Sequence, residues 1–456
     1  MTHVTIVGGG PGGYEAALVA SRLGAEVTLI ERDGLGGSTV LTDCVPSKTL
    51  IATSDLLTEV GTSAELGVQV PKAVRADLAA VNARVLTLAQ AQSGDIAERL
   101  TASNITMIDG TATLESAGVV TAVTSDGDVR IETDAVLLAT GAHPRVSPDA
   151  QPDGERILTW EQVYNLQELP EHMIVVGSGV TGAEFASAYN GLGAAVTLVS
   201  SRDRVLPGED IDAANVIEAV FTRRGMTVMG NSRMASVERT GDGVRVTLTD
   251  GRTVDGSHCL LAIGSIPNTE GLGLEAVGVA VNDSGFIDVD RVSRTNVRGV
   301  YAAGDVTGVL MLASVAAQQG RIAMSHLLGD AVHPLDLGKV ASNVFTSPEI
   351  ATVGLSQKQV DESDLQIDVA MLPLASNARA KMQGVHDGFV KIFARRGMGV
   401  VVGGVVVAPR ASELIHALSL AVSASLTVDQ VADAFTVYPS LSGSVAEAAR
   451  RLHRLA

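Results

Sequence analysis

The sequence predicts an α/β fold with two similar βαβ domains, followed by an α+β domain at the carboxyl end. Residues 3–31 and residues 173–200 each have the pattern of a strand, a glycine turn, a helix and a second strand. Beyond about residue 340, apolar runs separated by turn signals indicate an antiparallel sheet with interleaved helices. A chain of 456 residues is long enough for two or three domains.

The composition argues against several classes of protein. The formal net charge is −18, and such a surface repels nucleic-acid phosphates and anionic lipid. Two cysteines are too few for a secreted disulfide scaffold and favour a reducing compartment. No signal-peptide pattern is present, and the most apolar run, residues 400–408, is too short to span a bilayer. We therefore expect a cytoplasmic protein with no membrane span and no nucleic-acid partner.

The first glycine turn has the spacing of a dinucleotide-binding site. Gly8, Gly10 and Gly13 form Gly-x-Gly-x-x-Gly between a strand and a helix. In that order, the three glycines allow a sharp turn, the approach of a pyrophosphate to the backbone, and close packing of helix on strand. The next strand ends at Glu31, whose carboxylate can accept hydrogen bonds from an adenosine ribose. The segment therefore predicts a Rossmann-like domain.

The same spacing recurs in a second set of glycines, Gly177, Gly179 and Gly182. Here the position equivalent to the acid is Ser200, and Arg202 and Arg204 follow it. An acid repels a 2′-phosphate, whereas serine and arginine can bind one, so this half favours NADPH or tolerates it beside NADH. The alternative is that the two arginines are solvated surface charges.

The remaining elements follow from periodicity. Residues 74–100 predict a long helix, and residues 105–138 and 232–263 predict β structure. In the carboxy-terminal part, strands are expected within residues 345–356, 388–393 and 399–409, and helices at residues 412–424 and 428–434.

A third glycine-rich segment, residues 34–48, reads GLGGSTVLTDCVPSK. It resembles the active-site segment of the pyridine nucleotide-disulfide oxidoreductases, of the lipoamide dehydrogenase type. Further matches are ATG at residues 139–141, AIGSIPN at 262–268, YAAGD at 301–305 and SPEIATVG at 347–354. The segments around DCVPSK and VYPSLSGS are most similar to an actinobacterial branch that reduces quinones with NAD(P)H.

The resemblance implies the cofactors FAD and NADPH or NADH, and it implies no metal. It assigns Asp305 to the ribityl chain of the flavin, and Lys48 to the flavin N5, paired with Glu184. The other positions that it implies as cofactor contacts are Pro11, Gly12, Gly37, Ser38, Ala112, Thr140, Gly141, Gly264 and Ala313. It further implies a homodimer and three domains, an FAD-binding domain split into residues 1–147 and 270–338, a NAD(P)-binding domain at 148–269 and a dimerisation domain at 339–456.

One departure from the family pattern removes half of its redox disulfide. Where the pattern has its first redox cysteine, this chain has Thr39, and only Cys44 remains. Thiol–disulfide exchange needs an attacking and a resolving thiol, and Thr39 supplies neither. The other cysteine, Cys259, lies in an apolar strand-like run and is interpreted as a core residue.

A second departure lies near the carboxyl end. The family has His-Pro followed by a glutamate, whereas this chain has Tyr438, Pro439 and Gly443. A phenol with a pKa of about 10 cannot shuttle protons as an imidazole with a pKa of about 6.5 does. The Tyr438 ring could stack on a planar substrate and bond its carbonyl oxygen, or it could belong to core or interface packing.

Together these patterns predict two-electron transfer from NAD(P)H through FAD to quinones, without a redox-active disulfide. The candidate catalytic residues are Lys48, Glu184, Cys44 and Tyr438. Two alternatives stay open: a single-cysteine NAD(P)H peroxidase or oxidase, with Cys44 cycling through sulfenic acid, and a flavoprotein that senses nicotinamide without turnover. Cys44 itself is interpreted either as a charge-transfer thiolate or as a packed residue beside the flavin.

Overall fold

The amino-terminal segment forms the strand, turn and helix that its apolar pattern predicts. The structure is a computed structural model that describes residues 1–70 and 74–453. Pro11 begins the first helix, since its fixed φ suits the first helical position. The elements up to residue 145 are β1 (His3–Val7), α1 (Pro11–Arg22), β2 (Glu26–Glu31), α2 (Gly37–Leu41), α3 (Cys44–Thr62), α4 (Leu78–Ala102), β3 (Thr106–Asp109), β4 (Thr111–Ser116), β5 (Val119–Thr124), β6 (Gly127–Glu132), β7 (Ala135–Leu138) and β8 (Ala142–Pro144).

The second βαβ segment repeats this order of elements. The helix that follows its glycine turn ends at Gly193, whose left-handed φ of 106° suits the C-cap position of a helix. The elements here are β9 (Ile157–Thr159), β10 (His172–Val176), α5 (Val180–Leu192), β11 (Ala195–Val199), α6 (Ile211–Arg223), β12 (Thr227–Met229), β13 (Met234–Thr240), β14 (Gly243–Leu248), β15 (Thr253–Gly256), β16 (His258–Leu261) and β17 (Ser265–Pro267).

The rest of the chain completes the first sheet and adds the predicted antiparallel one. The apolar run at residues 400–408 becomes a buried strand, as its composition predicts. The elements are α7 (Leu274–Val277), β18 (Val300–Ala302), α8 (Ala313–Leu327), β19 (Ala341–Val344), β20 (Glu349–Gly354), α9 (Gln357–Glu362), β21 (Ile367–Pro373), α10 (Ala378–Met382), β22 (Phe389–Arg395), β23 (Val401–Ala408), α11 (Ala411–Ser423), α12 (Val428–Asp433) and α13 (Gly443–Arg450).

Two parallel sheets carry the glycine turns. The first has the strand order β18-β7-β1-β2-β3, and the second has the order β12-β11-β10-β16-β9. In the first sheet, Val4 and Ile6 pack towards α1, while Val7 packs against the strands β4 to β6. Because both faces are covered, the strands are almost wholly apolar, and their carboxyl ends meet at one edge beside the glycine turn.

The carboxy-terminal sheet is antiparallel, with the order β19-β20-β23-β22-β21. Helices α11 and α13 cover one of its faces, where Val406, Leu418 and Val445 belong to one buried cluster. The predicted α/β fold with a carboxy-terminal α+β part is thereby confirmed. No helix of residues 1–70 or 74–453 is long and apolar enough to cross a membrane.

The chain divides into two compact units. One contains Met1–Thr49, Asn82–Arg145 and Gly264–Asp336, and the other contains the described residues of Leu50–Val81, Val146–Ile263 and Leu337–Ala456. The three-domain division stays a prediction. The long helix begins at Leu78, four residues later than its periodicity predicts, and residues 71–73 lie outside the described part of the chain.

Candidate functional site: two glycine turns and their surroundings

The first glycine turn leaves an open space at the amino end of α1. A Cβ on Gly8 would overlap the carbonyl oxygen of Ala139, and a Cβ on Gly13 would overlap the carbonyl oxygen of Gly8. By contrast, a Cβ on Gly10 would meet no atom of the described residues within 4 Å. Packing therefore requires glycine at the first and third positions, and the second leaves room for a phosphate group at a helix amino terminus.

Glu31 is held in one position beside this turn. Its Oε2 accepts a hydrogen bond from the backbone N–H of Gly9 at 2.5 Å, and its Oε1 accepts from those of Arg32 at 2.8 Å and Asp33 at 2.7 Å. Three backbone donors fix a carboxylate that still has lone pairs for the hydroxyl groups of a ribose.

The segment after β2 returns to the same turn. Gly37 begins α2 with a left-handed φ of 55°, and a Cβ on it would lie 3.0 Å from the Cα of Gly10. The half-buried Ser38 closes this short helix, because its carbonyl accepts from the N–H groups of Thr42 and Asp43. The Gly-Gly-Ser stretch therefore borders the space above Gly10.

The YAAGD motif, at the end of β18, and helix α8 both lie beside this turn. A Cβ on Gly12 would lie 3.2 Å from the Cβ of Ala303, and a Cβ on Gly320 would overlap the carbonyl oxygen of Gly12. This close approach of α8 to α1 places Asp305 in the same unit as the turn. Burial, together with the nearby charge of Asp43, raises the pKa of the Asp305 carboxyl to about 6. Ala313 is the first residue of α8.

Two distant sequence motifs form one hydrogen-bonded unit. The hydroxyl of Thr140 donates to the carbonyl of Asn268 at 2.7 Å, and the Asn268 amide donates back to the carbonyl of Thr140 at 2.8 Å. The backbone of Asn268 also donates to Gly141. Gly264, with a φ of 101°, accepts from the N–H of Arg145. Sequence reasoning assigned no role to Asn268, although its place in AIGSIPN was a signal.

The segment that carries Thr39, Cys44 and Lys48 lies on α2 and α3. Thr39 is within α2, and Cys44 begins α3, with Lys48 one turn later. Residues four apart share a face of a helix, so Cys44 and Lys48 project from the same side of α3. All three side chains are half-buried. The predicted cofactor contact Ala112 lies elsewhere, on β4. Its methyl is buried in the core, so only its backbone can face a ligand.

The second glycine turn repeats the geometry of the first. A Cβ on Gly177 would overlap the carbonyl oxygen of Ala262, and a Cβ on Gly182 would overlap that of Gly177. A Cβ on Gly179 would again meet nothing within 4 Å in the part of the chain that the structure describes. The residues of both turns thus fit a dinucleotide, each with one open position at the amino end of its helix.

Ser200 is wholly buried at the end of β11. Its hydroxyl lies 2.7 Å from that of Ser178 and accepts from the N–H of Arg202 at 3.1 Å. It also lies 3.1 Å from the carbonyl of Arg204, whose guanidinium faces the exposed Asp203 at 3.6 Å. The Ser178 contact is not predictable from the sequence, because it depends on the distance between two loops.

Glu184 has a structural role that its motif did not reveal. Its carboxylate is 3% exposed on α5 and accepts from the backbone N–H of Phe345 at 2.9 Å. One turn later, the Ser187 hydroxyl accepts from the N–H of Ser347 at 3.1 Å. Helix α5 thereby holds the loop between β19 and β20. Lys48 belongs to the other compact unit, so its pairing with Glu184 stays a prediction.

The second cysteine, Cys259, and Tyr438 of the second departure lie in contrasting environments. Cys259 is fully buried, as predicted for a core residue, and burial raises the pKa of its thiol. Tyr438 is 86% exposed, and Phe435 and Val437 beside it are exposed as well. Core packing is therefore the wrong interpretation for Tyr438 within a single chain, whereas interface packing and substrate contact both remain.

Comparison with known proteins identifies the family. Residues 2–320 match the model described as pyridine nucleotide-disulphide oxidoreductase, and residues 340–449 match the dimerisation domain of the same family. The chain belongs to the pyridine nucleotide-disulphide oxidoreductase family. The predicted resemblance is thus confirmed, and the chain is an oxidoreductase of a family whose cofactors are FAD and NAD(P)H.

Individual relatives in this family differ in their named activities. The NAD(P)H dehydrogenase (quinone) of Mycobacterium tuberculosis is 55% identical over 99% of this chain and 94% of its own length. The dihydrolipoyl dehydrogenase of Geobacillus stearothermophilus is 32% identical over 98% of this chain and 95% of its own length. A crystal structure of LpdA from Mycobacterium tuberculosis has a TM-score of 0.96 and 54% identity, with 100% of both chains covered.

Proposed function

We propose that this protein is an FAD-dependent NAD(P)H–quinone oxidoreductase that passes electrons to its acceptor without a redox-active disulfide. The observation that carries the proposal is Thr39, which stands where the family pattern has its first redox cysteine, while Lys48 and Glu184 are retained. The 55% identical relative named as a quinone dehydrogenase supports the choice of acceptor.

The two glycine turns are proposed to hold the two cofactors. The open spaces at Gly10 and Gly179 receive the pyrophosphates, and the fixed carboxylate of Glu31 receives the ribose hydroxyls of FAD. Asp305 accepts from the ribityl hydroxyls. When bound, NAD(P)H supplies a hydride and FAD relays its two electrons. Lys48 places a positive charge near the reacting end of the flavin, and its predicted partner Glu184 keeps that charge in position.

The site that binds the electron acceptor is proposed to form in a homodimer, and the matched dimerisation domain supports this assembly. Tyr438 is almost fully exposed in the single chain, so a second subunit could cover it. A phenol ring can stack on a planar quinone, and its hydroxyl can donate to a quinone carbonyl. Thr39 contributes a hydroxyl in place of a thiol, so no covalent intermediate with the acceptor is needed.

The test is steady-state kinetics of the FAD-loaded protein with both nicotinamides against a panel of quinones, lipoamide and oxidised glutathione. We expect turnover with quinones and none with the two disulfides. Nicotinamide oxidation that is absent with every quinone, or that is faster with a disulfide, contradicts the proposal. Flavin that is never reduced by NADH or NADPH would instead support a sensor.

Two sets of variants test which residues act on the electron acceptor. Cys44→Ser should retain quinone reduction, whereas a peroxidase that uses a sulfenic acid loses peroxide reduction in that variant. Tyr438→Ala should raise the KM for quinone more than Tyr438→Phe, because the ring supplies most of the contact area. Neither tyrosine variant should change the rate at which nicotinamide reduces the flavin, and Phe435→Ala controls for a general effect on the surface.

A further inference from the structure

A buried glutamine joins helix α8 to the backbone corner that precedes Asp305. Gln319 is 1% exposed, and its Oε1 accepts a hydrogen bond from the backbone N–H of Gly304 at 2.8 Å. Its Nε2 lies 3.3 Å from the Oγ1 of Thr307, which is also buried. The Thr307 hydroxyl in turn donates to the carbonyl of Gly304 at 2.7 Å. The three residues therefore form a closed ring of hydrogen bonds.

The chemistry of this ring fixes the direction of each bond. A backbone N–H can only donate, so the end of the Gln319 amide that faces Gly304 is the oxygen. The Thr307 hydroxyl has a single proton, which it gives to the Gly304 carbonyl, so its lone pairs accept from the Gln319 amide. An ionised glutamate has no proton to donate to Thr307, and an apolar side chain makes neither contact. Glutamine satisfies the whole ring where those residues do not.

The ring holds a backbone conformation that requires glycine. Gly304 has a φ of 81° and a ψ of −157°, a region that residues with a Cβ rarely adopt. Its N–H is held by Gln319, and its carbonyl accepts from both the hydroxyl and the N–H of Thr307. Because Asp305 is the next residue, these bonds set the direction in which the Asp305 side chain leaves the main chain.

The residue after Gln319 contacts the first glycine turn. A Cβ on Gly320 would overlap the carbonyl oxygen of Gly12, so α8 and α1 pack backbone to backbone at this point. Consecutive residues of α8 therefore hold two separate features. One is the turn with the open space for a pyrophosphate, and the other is the corner that carries Asp305. Their spacing is fixed by a single rigid helix.

We propose that Gln319 is a positioning residue for FAD, which sets the direction of the Asp305 carboxylate relative to the first glycine turn. Its amide is buried and bonded at both ends, so it acts through Gly304 and Thr307 and not by touching the cofactor. This assignment rests on the proposed function only in that Asp305 receives the ribityl hydroxyls. It holds whatever the nicotinamide and the electron acceptor are.

The first experiment measures how fast the FAD-loaded protein releases its flavin after dilution, followed by the rise in flavin fluorescence. Gln319→Met keeps the length of the side chain and should speed release on the order of tenfold, because a misdirected Asp305 loses hydrogen bonds to the ribityl chain. Thr307→Val should act in the same way, whereas Thr307→Ser keeps the hydroxyl and should stay within about twofold. Tyr301→Phe is the matched control, since it removes a 3.0 Å hydrogen bond to His326 of the same helix and should change nothing.

The second experiment asks whether Gln319 acts through Asp305. Asp305→Ala should itself speed the release of FAD. In that background, adding Gln319→Met should change the rate by less than about twofold, because the side chain that Gln319 positions is already absent. A role in stability alone would give Gln319→Met the same effect in both backgrounds. Should Asp305→Ala retain no FAD, Asp305→Asn takes its place, and the two Thr307 variants test the ring independently.

Four outcomes would overturn the assignment. Gln319→Met that releases FAD as slowly as Tyr301→Phe removes Gln319 from this role, and equal rates in Thr307→Ser and Thr307→Val refute the ring. An Asp305→Ala variant with an unchanged rate, or an effect of Gln319→Met that persists beside it, refutes the route through Asp305. Because no substrate is present, a protein that reduces no quinone yet shows the expected rates refutes the proposed function and leaves this assignment standing.

Discussion

Replacement of Lys391 by methionine should destabilise the protein more than loss of any exposed charge. The ammonium lies 2.8 Å from the Asp210 Oδ2 and 2.5 Å from the Asp212 Oδ2. Lys391 and Asp210 side chains are each 2% exposed, and the rings of Phe389 and Phe393 flank the ammonium at 5.7 Å and 5.9 Å. The pair joins β22 of the carboxy-terminal sheet to α6 of the second nucleotide-binding segment.

The expected loss of stability follows from the Asp210 carboxylate, which stays buried when the ammonium is removed. In Lys391→Met, the Asp210 carboxylate keeps its cap bonds from the N–H groups of Asp212 and Ala213 but loses its cation. Removal of one member of a buried pair costs about 3–5 kcal/mol. At about 1 °C per kcal/mol for a chain of 456 residues, the thermal midpoint should fall by roughly 3–5 °C. Adding Asp210→Asn removes the uncompensated charge and keeps a good N-cap residue, so most of the loss should return.

The assay is thermal unfolding of the FAD-loaded protein, followed by circular dichroism at a fixed scan rate. Arg396→Met is the matched control, because Arg396 pairs with Asp368 at 2.8 Å while 48% exposed, and such a surface pair contributes less than about 1 kcal/mol. A single Lys391 variant as stable as this control, or a double variant less stable than the single one, refutes the argument from buried charge.

Three further predictions follow from single sites. Gly13→Ala should lower the thermal midpoint of the apoprotein, because its methyl meets a carbonyl oxygen, whereas Gly10→Ala should leave it unchanged and weaken only FAD, measured by flavin fluorescence. Burial and the charge of Glu349 raise the pKa of Asp55 to about 6. Ionisation of Asp55 therefore lowers the free energy of unfolding as the pH rises from about 4 to 6. Asp55→Asn should raise the free energy of unfolding in urea by about 2 kcal/mol at pH 7.5 and leave it unchanged at pH 4. The buried Tyr189 hydroxyl has no partner among the described residues, so Tyr189→Phe should be neutral or stabilising by about 1 kcal/mol in the same assay.

The sequence was sufficient to predict the elements whose pattern is set by residues close together along the chain. Strand and helix periods and glycine spacing predicted both βαβ segments to within a few residues, because those patterns depend on neighbours along the chain. Contacts between distant residues were not predictable in this way. The hydrogen bond from Phe345 to Glu184 joins residues 161 positions apart, and Lys391 within the run FVKIF gave no indication that its ammonium is buried. The exposure of Tyr438 likewise depends on the packing around it.

The duplication shows where such a fold is able to change function. The two turns are alike wherever packing dictates the residue, since the first and third glycines of each face a backbone oxygen that no Cβ can approach. They are also alike at the second glycine, where a pyrophosphate needs the space whatever nucleotide carries it. Among the positions at which they differ are the pairs Gly9–Glu31 and Ser178–Ser200, which the backbone contacts of the first and third glycines do not constrain. The same reasoning applies to Thr39 and Tyr438, which lie outside the buried clusters of the fold, so the electron acceptor could change there while both nucleotide turns kept their geometry.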